Sequence, residues 1–180
     1  MSHGRYRAKR RAAELLDKLS RTDPLTGLAN RRALLQSLER ERQRGDRQGR
    51  PFSVILLDVD HFKRFNDRHG HEVGDRVLVG VAGALRGGAR AVDEVARWGG
   101  EEFLVLLPEC ETSGAEELAA RLQERIRALE VGGDEGPLKV TATLGVATRR
   151  SGEDIDAVVR RADAALYRGK EAGRDRVVVD

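Results

Sequence analysis

Hydrophobic and polar residues follow two different patterns along this chain, and each pattern predicts one kind of element. Five segments have a helical pattern, which predicts helices at residues 4–20, 31–44, 73–85, 113–129 and 155–170. Five shorter segments are rich in β-branched and apolar residues, which predicts strands at residues 52–59, 94–98, 102–107, 139–147 and 176–179. Asn30 is suited to cap the second helix. The polar stretch 44–51 contains Gly45 and Gly49, and we interpret it as a loop.

The order of these elements predicts an α/β fold with a central, mostly antiparallel sheet flanked by helices. Gly99 and Gly100 separate two neighbouring predicted strands and indicate a hairpin. The strict alternation of strand and helix that is typical of a doubly wound fold is absent from the sequence. A Gly-x-x-x-x-Gly-Lys-Ser/Thr phosphate loop is absent too, which argues against a P-loop enzyme.

A proline near the start of the chain suggests two parts. The sequence Thr22-Asp23-Pro24 follows the first predicted helix, and the residue before a proline resists the helical conformation. We therefore predict an N-terminal helical stalk or linker at residues 1–22 and one catalytic domain at residues 23–180. A length of 180 residues fits one domain with a short extension.

Charged residues make up 35% of the chain and hydrophobic residues 39%, so a core and a charge-rich surface can coexist. The formal net charge is +3, and only five of the 33 basic residues are lysines. An arginine-rich surface can attract nucleic acid. The 30 acidic residues are interleaved with the basic ones, however, and no long block of one sign occurs. We therefore expect no nucleic-acid partner.

Cysteine usage and hydropathy indicate a compartment. A single cysteine, Cys110, excludes an internal disulfide and is typical of a reducing environment. No apolar run approaches the roughly 20 residues that a membrane-spanning helix needs. The charged N-terminus shows no signal peptide. We expect a cytoplasmic protein with no membrane segment in this chain.

Two carboxylates close the most apolar predicted strand. In Leu57-Asp58-Val59-Asp60, the two aspartates occupy alternate positions, so their side chains point to the same face. Carboxylates at the end of a buried strand are costly unless they reach an edge or meet a cation. Two interpretations remain open on this segment alone. Asp58 and Asp60 form a metal site, or Asp60 caps a following helix and Asp58 is exposed.

The predicted hairpin favours the metal interpretation. Its turn reads Arg97-Trp98-Gly99-Gly100-Glu101-Glu102-Phe103, and pairing beside the aspartate strand lets Glu101 approach Asp58. Hard oxygen ligands with open positions suit Mg²⁺ that is also bound by substrate phosphates. Adjacent glycines leave room for a nucleotide against the backbone. These are the parts that phosphoryl transfer needs.

The same residues resemble the signature of GGDEF domains, the bacterial diguanylate cyclases. Four further motifs resemble the family in order and spacing, so the resemblance covers about residues 23–179. They are DPLTGLANRR from Asp23, LDVDHFKRFND from Leu57, GHEVGDRVL from Gly70 and RADAALYRGKEAGRD from Arg161. The resemblance implies a nucleotidyl cyclase or polymerase palm with a ferredoxin-like core. It also implies a homodimer that condenses two GTP molecules into cyclic di-GMP and two pyrophosphates, with one GTP bound to each protomer.

The resemblance assigns metal and catalytic roles. Asp58, the backbone carbonyl of Val59 and Glu101 match the family's Mg²⁺ ligands, and Mn²⁺ is an alternative ion. Glu101 is also expected to help activate the attacking 3′-hydroxyl. Glu102 belongs to the same signature and is expected to support a second metal ion or the turn.

Substrate contacts follow from the same motifs. Asn66 and Asp75 match positions that read the guanine edge. A carboxylate accepts from the N1–H and N2–H₂ groups of guanine, so Asp75 favours GTP over ATP. The other matching positions are Phe62, Lys63, His71, Lys170 and Arg174, of which Lys63, Lys170 and Arg174 are expected to bind phosphates.

Arg90 and Asp93 match an inhibitory Arg-x-x-Asp motif five residues before the adjacent glycines. The resemblance implies that cyclic di-GMP binds there as product and inhibitor. The plain alternative is a surface ion pair worth under about 1 kcal/mol. Two functional alternatives also remain: a catalytically silent domain that only binds cyclic di-GMP, and a cyclase that makes a mixed or adenine product, which Asp75 disfavours.

Overall fold

The chain folds into a layered α/β structure in a computed structural model that describes residues 2–180, with the side chains of residues 4–16 and 20–180. The elements are α1 (Ser2–Leu19), β1 (Ala29–Asn30), α2 (Arg31–Gln48), β2 (Ser53–Val59), α3 (Phe62–His69), α4 (His71–Gly88), β3 (Glu94–Arg97), β4 (Glu102–Leu107), α5 (Thr112–Arg127), β5 (Val131–Gly133), β6 (Gly136–Leu138), β7 (Ala142–Thr148), α6 (Ile155–Glu171) and β8 (Val177–Val179).

The main sheet has six strands in the order β1-β3-β4-β2-β7-β8. Its central strand, β2, is antiparallel to both β4 and β7, and β3 is antiparallel to β4. Only the outer pairs, β1 with β3 and β7 with β8, are parallel. The predicted mostly antiparallel sheet and the hairpin at Gly99-Gly100 are thus confirmed. All seven residues of β2 are buried, so its carboxyl end delivers side chains to the middle of one sheet edge.

The two faces of the sheet have separate cores because successive side chains of a strand point to opposite faces. Ile55 and Leu57 of β2 pack in the cluster that includes apolar residues of α4 and α5. Val54 and Leu56 pack in the cluster that includes residues of α2 and α6. Helix α6 lies very close to β7, since a Cβ built at Gly145 would overlap the backbone of α6. The sheet therefore holds α6, with Lys170 near its end, beside the carboxyl end of β2.

Several predicted boundaries are wrong. The stretch 44–51 is not a loop throughout, because α2 continues to Gln48 and ends at Gly49, whose φ of 65° suits glycine. Gly45 belongs to this helix, and a Cβ there would lie 2.8 Å from the carbonyl oxygen of Arg50. The two-residue strand β1 and the small β5–β6 hairpin were not predicted, and helix α3 entered only as the helix that Asp60 would cap. Asn30 caps α2 as expected, accepting from the amide of Ala33 at 2.9 Å.

The N-terminal segment is helical, as predicted, and carries exposed Tyr6, Leu15 and Leu16. Met1 and the side chain of Leu19 lie outside the described residues. The division between a stalk and a catalytic domain at residue 22 stays a prediction. Within residues 2–180, no helix combines the length and apolar character that crossing a membrane requires.

Candidate active site

The ends of β2 and β4 bring three acidic residues to one sheet edge. Asp58 lies opposite Glu102 in the antiparallel register, and the amide of Val59 donates to the carbonyl of Glu101 at 3.2 Å. The turn between β3 and β4 is closed by the amides of Trp98 and Gly99, which both donate to the carbonyl of Glu102 at 2.8 and 3.2 Å. The structure thus brings together the strand-end aspartate and the hairpin turn that the sequence predicts as neighbours.

Burial, with crowding of negative charge, raises the pKa of two of these acidic residues, Asp58 and Glu102. Burial raises the pKa of Asp58 above its usual value, and the nearby charges of Glu101 and Asp60 raise it further, against the lowering effect of Lys170. Burial also raises the pKa of Glu102, with added repulsion from Asp58 and Asp163. The folded chain therefore carries an electrostatic cost at this edge that a bound cation would relieve.

The donor chemistry at this edge fits a divalent metal ion with open coordination positions. Asp58 and Glu101 offer hard carboxylate oxygens, which Mg²⁺ and Mn²⁺ prefer. Within the described part of the chain, no three His, Cys, Asp or Glu side chains are already arranged as a metal cage. Two carboxylates without a cage suit an ion that takes its other ligands from a substrate's phosphates and water.

Lys170, which was predicted to bind phosphate, contacts one of the predicted metal ligands. Its Nζ donates to Oδ2 of Asp58 at 2.7 Å. The Asp58 side chain is 9% exposed and that of Lys170 is 31% exposed, so this pair is half buried. Lys170 partly offsets the negative charge at the position where a metal ion would bind.

Asp60 does not cap a helix, and that interpretation is wrong. Helix α3 starts after His61, which has a φ of 54° and makes no side-chain cap. The Asp60 carboxylate instead accepts from the hydroxyls of Thr141 and Thr143 at 2.7 and 2.6 Å. It also accepts from the amide of Asp175 at 3.0 Å. With these three donors, Asp60 ties β2 to β7 and to the turn that follows α6.

The candidate base pocket lies where α3 and α4 meet. Oδ1 of Asn66 is the one buried side-chain oxygen or nitrogen without a hydrogen-bond partner in the part of the chain that the structure describes. A Cβ built at Gly74 would overlap this oxygen, so only glycine leaves room for Asn66 in its position. His71 and Asp75 are exposed in the first turns of α4 on either side of Gly74. An orphaned buried oxygen normally implies a missing partner, such as a ligand donor.

The remaining predicted substrate contacts lie at the start of α3 and in the turn after α6. Phe62 and Lys63 form the first turn of α3, where free amides and the helix dipole favour anions. Arg174 lies in the turn after α6, with a φ of 64° and its amide donating to the carbonyl of Gly169 at 2.9 Å. The turn that carries Arg174 is the one that Asp60 holds.

Sequence reasoning missed the support of the glycine turn. Arg97 donates from Nε and Nη2 to the carbonyl of Gly100 at 3.1 and 2.8 Å, and its Nη1 lies 3.3 Å from Asp23. Asp23 also accepts from the amide and hydroxyl of Thr26. Burial alone would raise the pKa of Asp23, but the Thr26 hydrogen bonds and the Arg97 charge leave it lowered. The Asp-x-x-Thr spacing, which favours a side-chain-stabilised turn, was the available signal.

Arg90 and Asp93 form an ion pair with several hydrogen bonds, in which the Arg90 side chain is 41% exposed. Oδ1 of Asp93 accepts from Nε and Nη2 of Arg90 at 3.0 and 2.7 Å, and Oδ2 accepts from the Arg90 amide at 2.7 Å. The Asp93 side chain is fully covered, so in this conformation it orients Arg90. Both residues line a cavity of about 320 Å³ together with Arg86, a second cation that sequence reasoning missed.

The sheet order and this edge define a class. The fold is the nucleotidyl cyclase palm, the fold of the GGDEF domains among the solved structures that it resembles. The chain belongs to the GGDEF family: residues 20–176 match the family profile described as diguanylate cyclase, GGDEF domain. The predicted family and fold class are thereby confirmed.

Curated relatives agree with this assignment. Diguanylate cyclase DgcP of Pseudomonas aeruginosa is 48% identical over 158 residues, which cover 88% of this chain and 24% of DgcP. The response regulator PleD of Caulobacter vibrioides is 38% identical over 164 residues, covering 89% of this chain and 36% of PleD. The chain thus spans about a quarter to a third of these two relatives.

Solved structures agree as well. One is the diguanylate cyclase SiaD of Pseudomonas aeruginosa, solved with its activator SiaC. It superposes on this chain with a TM-score of 0.88 at 44% identity. The match covers 98% of this chain and 68% of the SiaD chain. The coiled coil and GGDEF domain of DgcB from Caulobacter crescentus, solved with c-di-GMP, has a TM-score of 0.92 at 32% identity, covering 99% of this chain and 95% of that chain.

Proposed function

We propose that this chain condenses two GTP molecules into cyclic di-GMP and releases two pyrophosphates. One observation carries the proposal: Asp58 and the Glu101–Glu102 turn converge at one sheet edge, where mutual repulsion and burial raise the pKa of Asp58 and Glu102. Such an edge is stabilised by a divalent cation. Family membership and relatives named as diguanylate cyclases support the same reaction.

Each chemical step assigns a task to this chain's own residues. The 3′-oxygen of one GTP forms a bond to the α-phosphorus of the other, the bond from that phosphorus to the pyrophosphate oxygen breaks, and pyrophosphate leaves. Glu101 accepts the proton of the 3′-hydroxyl. Asp58, the carbonyl of Val59 and Glu101 would hold Mg²⁺, which would neutralise charge on the phosphates. Glu102 stabilises the turn between β3 and β4, and its carboxylate adds negative charge beside Glu101.

The triphosphate is held by the first turn of α3, at Phe62 and Lys63, and by Lys170 and Arg174. Lys170 would exchange its hydrogen bond to Asp58 for one to a phosphate oxygen of the bound substrate. Asn66 and Asp75 contact guanine, and the orphaned Oδ1 of Asn66 accepts from the base. His71 lies beside this pocket at the start of α4. This set favours guanine because Asp75 can only accept, and guanine presents donors on that edge.

Catalysis requires two protomers, because each domain holds one GTP and the two reacting groups face each other. We propose that α1 aligns the two domains through its exposed Tyr6, Leu15 and Leu16. The structure of DgcB described as coiled coil and GGDEF domain supports a paired helix at this position. The rate per protomer is then expected to rise with protein concentration.

Product inhibition is proposed at the cavity beside Arg90. The Asp93 carboxylate accepts hydrogen bonds from Nε and Nη2 of Arg90 and so fixes the guanidinium group. The remaining edge of the guanidinium is then available to guanine or phosphate. Arg86 lines the same cavity and adds a second positive charge. Cyclic di-GMP should therefore lose affinity when Arg90 is replaced by alanine, while Arg160→Ala on α6 serves as the matched control.

The decisive experiment measures cyclic di-GMP formed from GTP and Mg²⁺ over a range of protein concentrations. Glu101→Gln should reduce the rate by about 100-fold or more. Glu116→Gln, an exposed carboxylate of α5, should leave it unchanged. Cyclic di-GMP binding without turnover at any protein concentration would indicate a binding domain instead, the alternative in which Arg90 and Asp93 only bind the dinucleotide.

A further inference from the structure

A second concave surface lies between α3 and the segment at residues 138–141, next to Asp60. Its cavity is about 490 Å³ and is lined by Phe65, Arg68 and His69 of α3 and by Leu138 and Val140 across from them. This volume is within the range of small-molecule sites. Asn66, the proposed base contact, packs against Gly74 of α4 and does not line this cavity.

Positive charge is in excess around the cavity. Arg64, Arg68 and Lys139 line it, and none of the three has a carboxylate within 4.0 Å among the described residues. The two carboxylates of the wall are already engaged. Asp60 accepts from Thr141, Thr143 and the Asp175 amide. Asp175 pairs with Arg127 at 2.9 Å.

The apolar part of the wall is equally defined. The Phe65 and His69 rings pack with centroids 4.7 Å apart, and Leu138 and Val140 line the same cavity. Phe65 also packs against the core cluster that contains Val140, which holds its ring at the cavity wall. Elsewhere in the fold, neighbouring arginines share a carboxylate, as Arg44 and Arg50 share Glu109.

We propose that this cavity binds a phosphorylated small molecule with an apolar or aromatic body. Arg64, Arg68 and Lys139 bind the phosphate, because guanidinium and ammonium groups without protein partners are the donors that phosphate recognition uses. Phe65, Leu138 and Val140 cover the organic part. The inference does not depend on the proposed cyclase reaction, since none of Asp58, Glu101 and Glu102 lines the cavity.

The test uses the full chain and two probes, inorganic phosphate and phenyl phosphate, at constant ionic strength. Proton NMR signals of the histidine rings locate binding. The His69 ring lines the cavity, whereas His71 lies at the start of α4. We expect phenyl phosphate to shift the His69 signals in a saturable way without shifting His71, and to bind more tightly than inorganic phosphate. Equal affinity for the two probes would contradict the apolar half of the site.

A pair of double variants separates a built site from general attraction to a basic protein. Arg64→Ser with Arg68→Ser should weaken phenyl phosphate about ten-fold, the effect of losing two charge contacts. Lys9→Ser with Arg160→Ser removes the same charge from α1 and α6 and should change nothing. The unchanged His71 signal and melting temperature show that each variant is folded. No saturable shift of His69, or equal weakening by both double variants, overturns the proposal.

Discussion

Lys170 and Asp58 form a half-buried ion pair across the active-site edge, with Nζ 2.7 Å from Oδ2. The pair joins the last turn of α6 to the end of the central strand. It explains how a strand-end carboxylate among other carboxylates is kept in the folded chain, because one positive charge opposes the burial and the repulsion that raise its pKa. Lys170 therefore contributes to stability in addition to its proposed contact with a phosphate.

Replacing Lys170 by methionine should destabilise the fold by about 1–3 kcal/mol at pH 8, because a buried carboxylate loses its partner. Because the folded-state pKa of Asp58 is raised, its contribution to stability is fully present below the unfolded pKa of 3.8 and is lost as the pH rises through the folded pKa. Lys170 opposes this loss, so its removal matters only where Asp58 is ionised. The deficit should therefore shrink toward pH 4. Urea unfolding at both pH values measures it. Arg168→Met, which removes a more exposed pair with Asp180, is the control, and an equal deficit in both variants would refute the role of burial.

Gly74→Ala should weaken GTP binding about ten-fold while the protein stays folded. The added Cβ would overlap Oδ1 of Asn66 and displace the group proposed to contact guanine, at a cost of about one buried hydrogen bond. Gly83→Ala on the same helix meets no atom within 4 Å and should raise stability by up to about 1 kcal/mol. KM for GTP and the melting temperature distinguish the two variants. An unchanged KM for GTP in Gly74→Ala would show that Asn66 does not contact the base.

The sequence predicts the centre of this fold better than its connections. The apolar run of β2 and the paired glycines of the hairpin are strong local signals, and they place Asp58 beside Glu102. Helix α3 gives a weak signal because only Phe62 and Phe65 are apolar in its eight residues. Gly45 suggested a loop, although its helix needs glycine because the chain returns so closely that a side chain would meet Arg50.

The candidate site shows the same limit. Spacing along a strand predicts that Asp58 and Asp60 share a face, but it does not predict their partners. Asp60 finds Thr141, Thr143 and the Asp175 amide, which come from segments more than 80 residues away in sequence. The Arg97 support of the Gly100 carbonyl likewise depends on Asp23, 74 residues earlier. Such long-range contacts follow from the assembled sheet and leave little pattern in the local sequence.

Glu102→Gln should stabilise the protein at neutral pH. Burial and the charge of Asp58 raise the Glu102 pKa above its usual 4.5, so the ionised form costs stability as the pH rises. The melting temperature of the variant should exceed that of the original chain by about 2–4 °C at pH 8, and by little at pH 4. Scanning calorimetry without divalent ions gives the comparison. Glu116→Gln on α5 should stay within about 1 °C of the original chain at both pH values. A gain for Glu102→Gln that is equal at pH 4 and pH 8 would contradict the electrostatic cause.

Asp60→Asn should raise KM for GTP more than it lowers kcat. The Asp60 carboxylate accepts hydrogen bonds from three donors. In the asparagine variant, an NH₂ group replaces one of the two accepting oxygens. At least one hydrogen bond is therefore lost, at a cost of about 1–3 kcal/mol. The Asp175 amide belongs to the turn that carries Arg174. Without its hydrogen bond to residue 60 the turn is less well fixed, which weakens the proposed contact of Arg174 with the phosphates but leaves Asp58 and Glu101 unchanged. Steady-state kinetics with GTP check the split, and Asp134→Asn, exposed beside the β5–β6 turn, is the control. A fall in kcat with KM unchanged would show that Asp60 acts on the carboxylate edge and not through the turn.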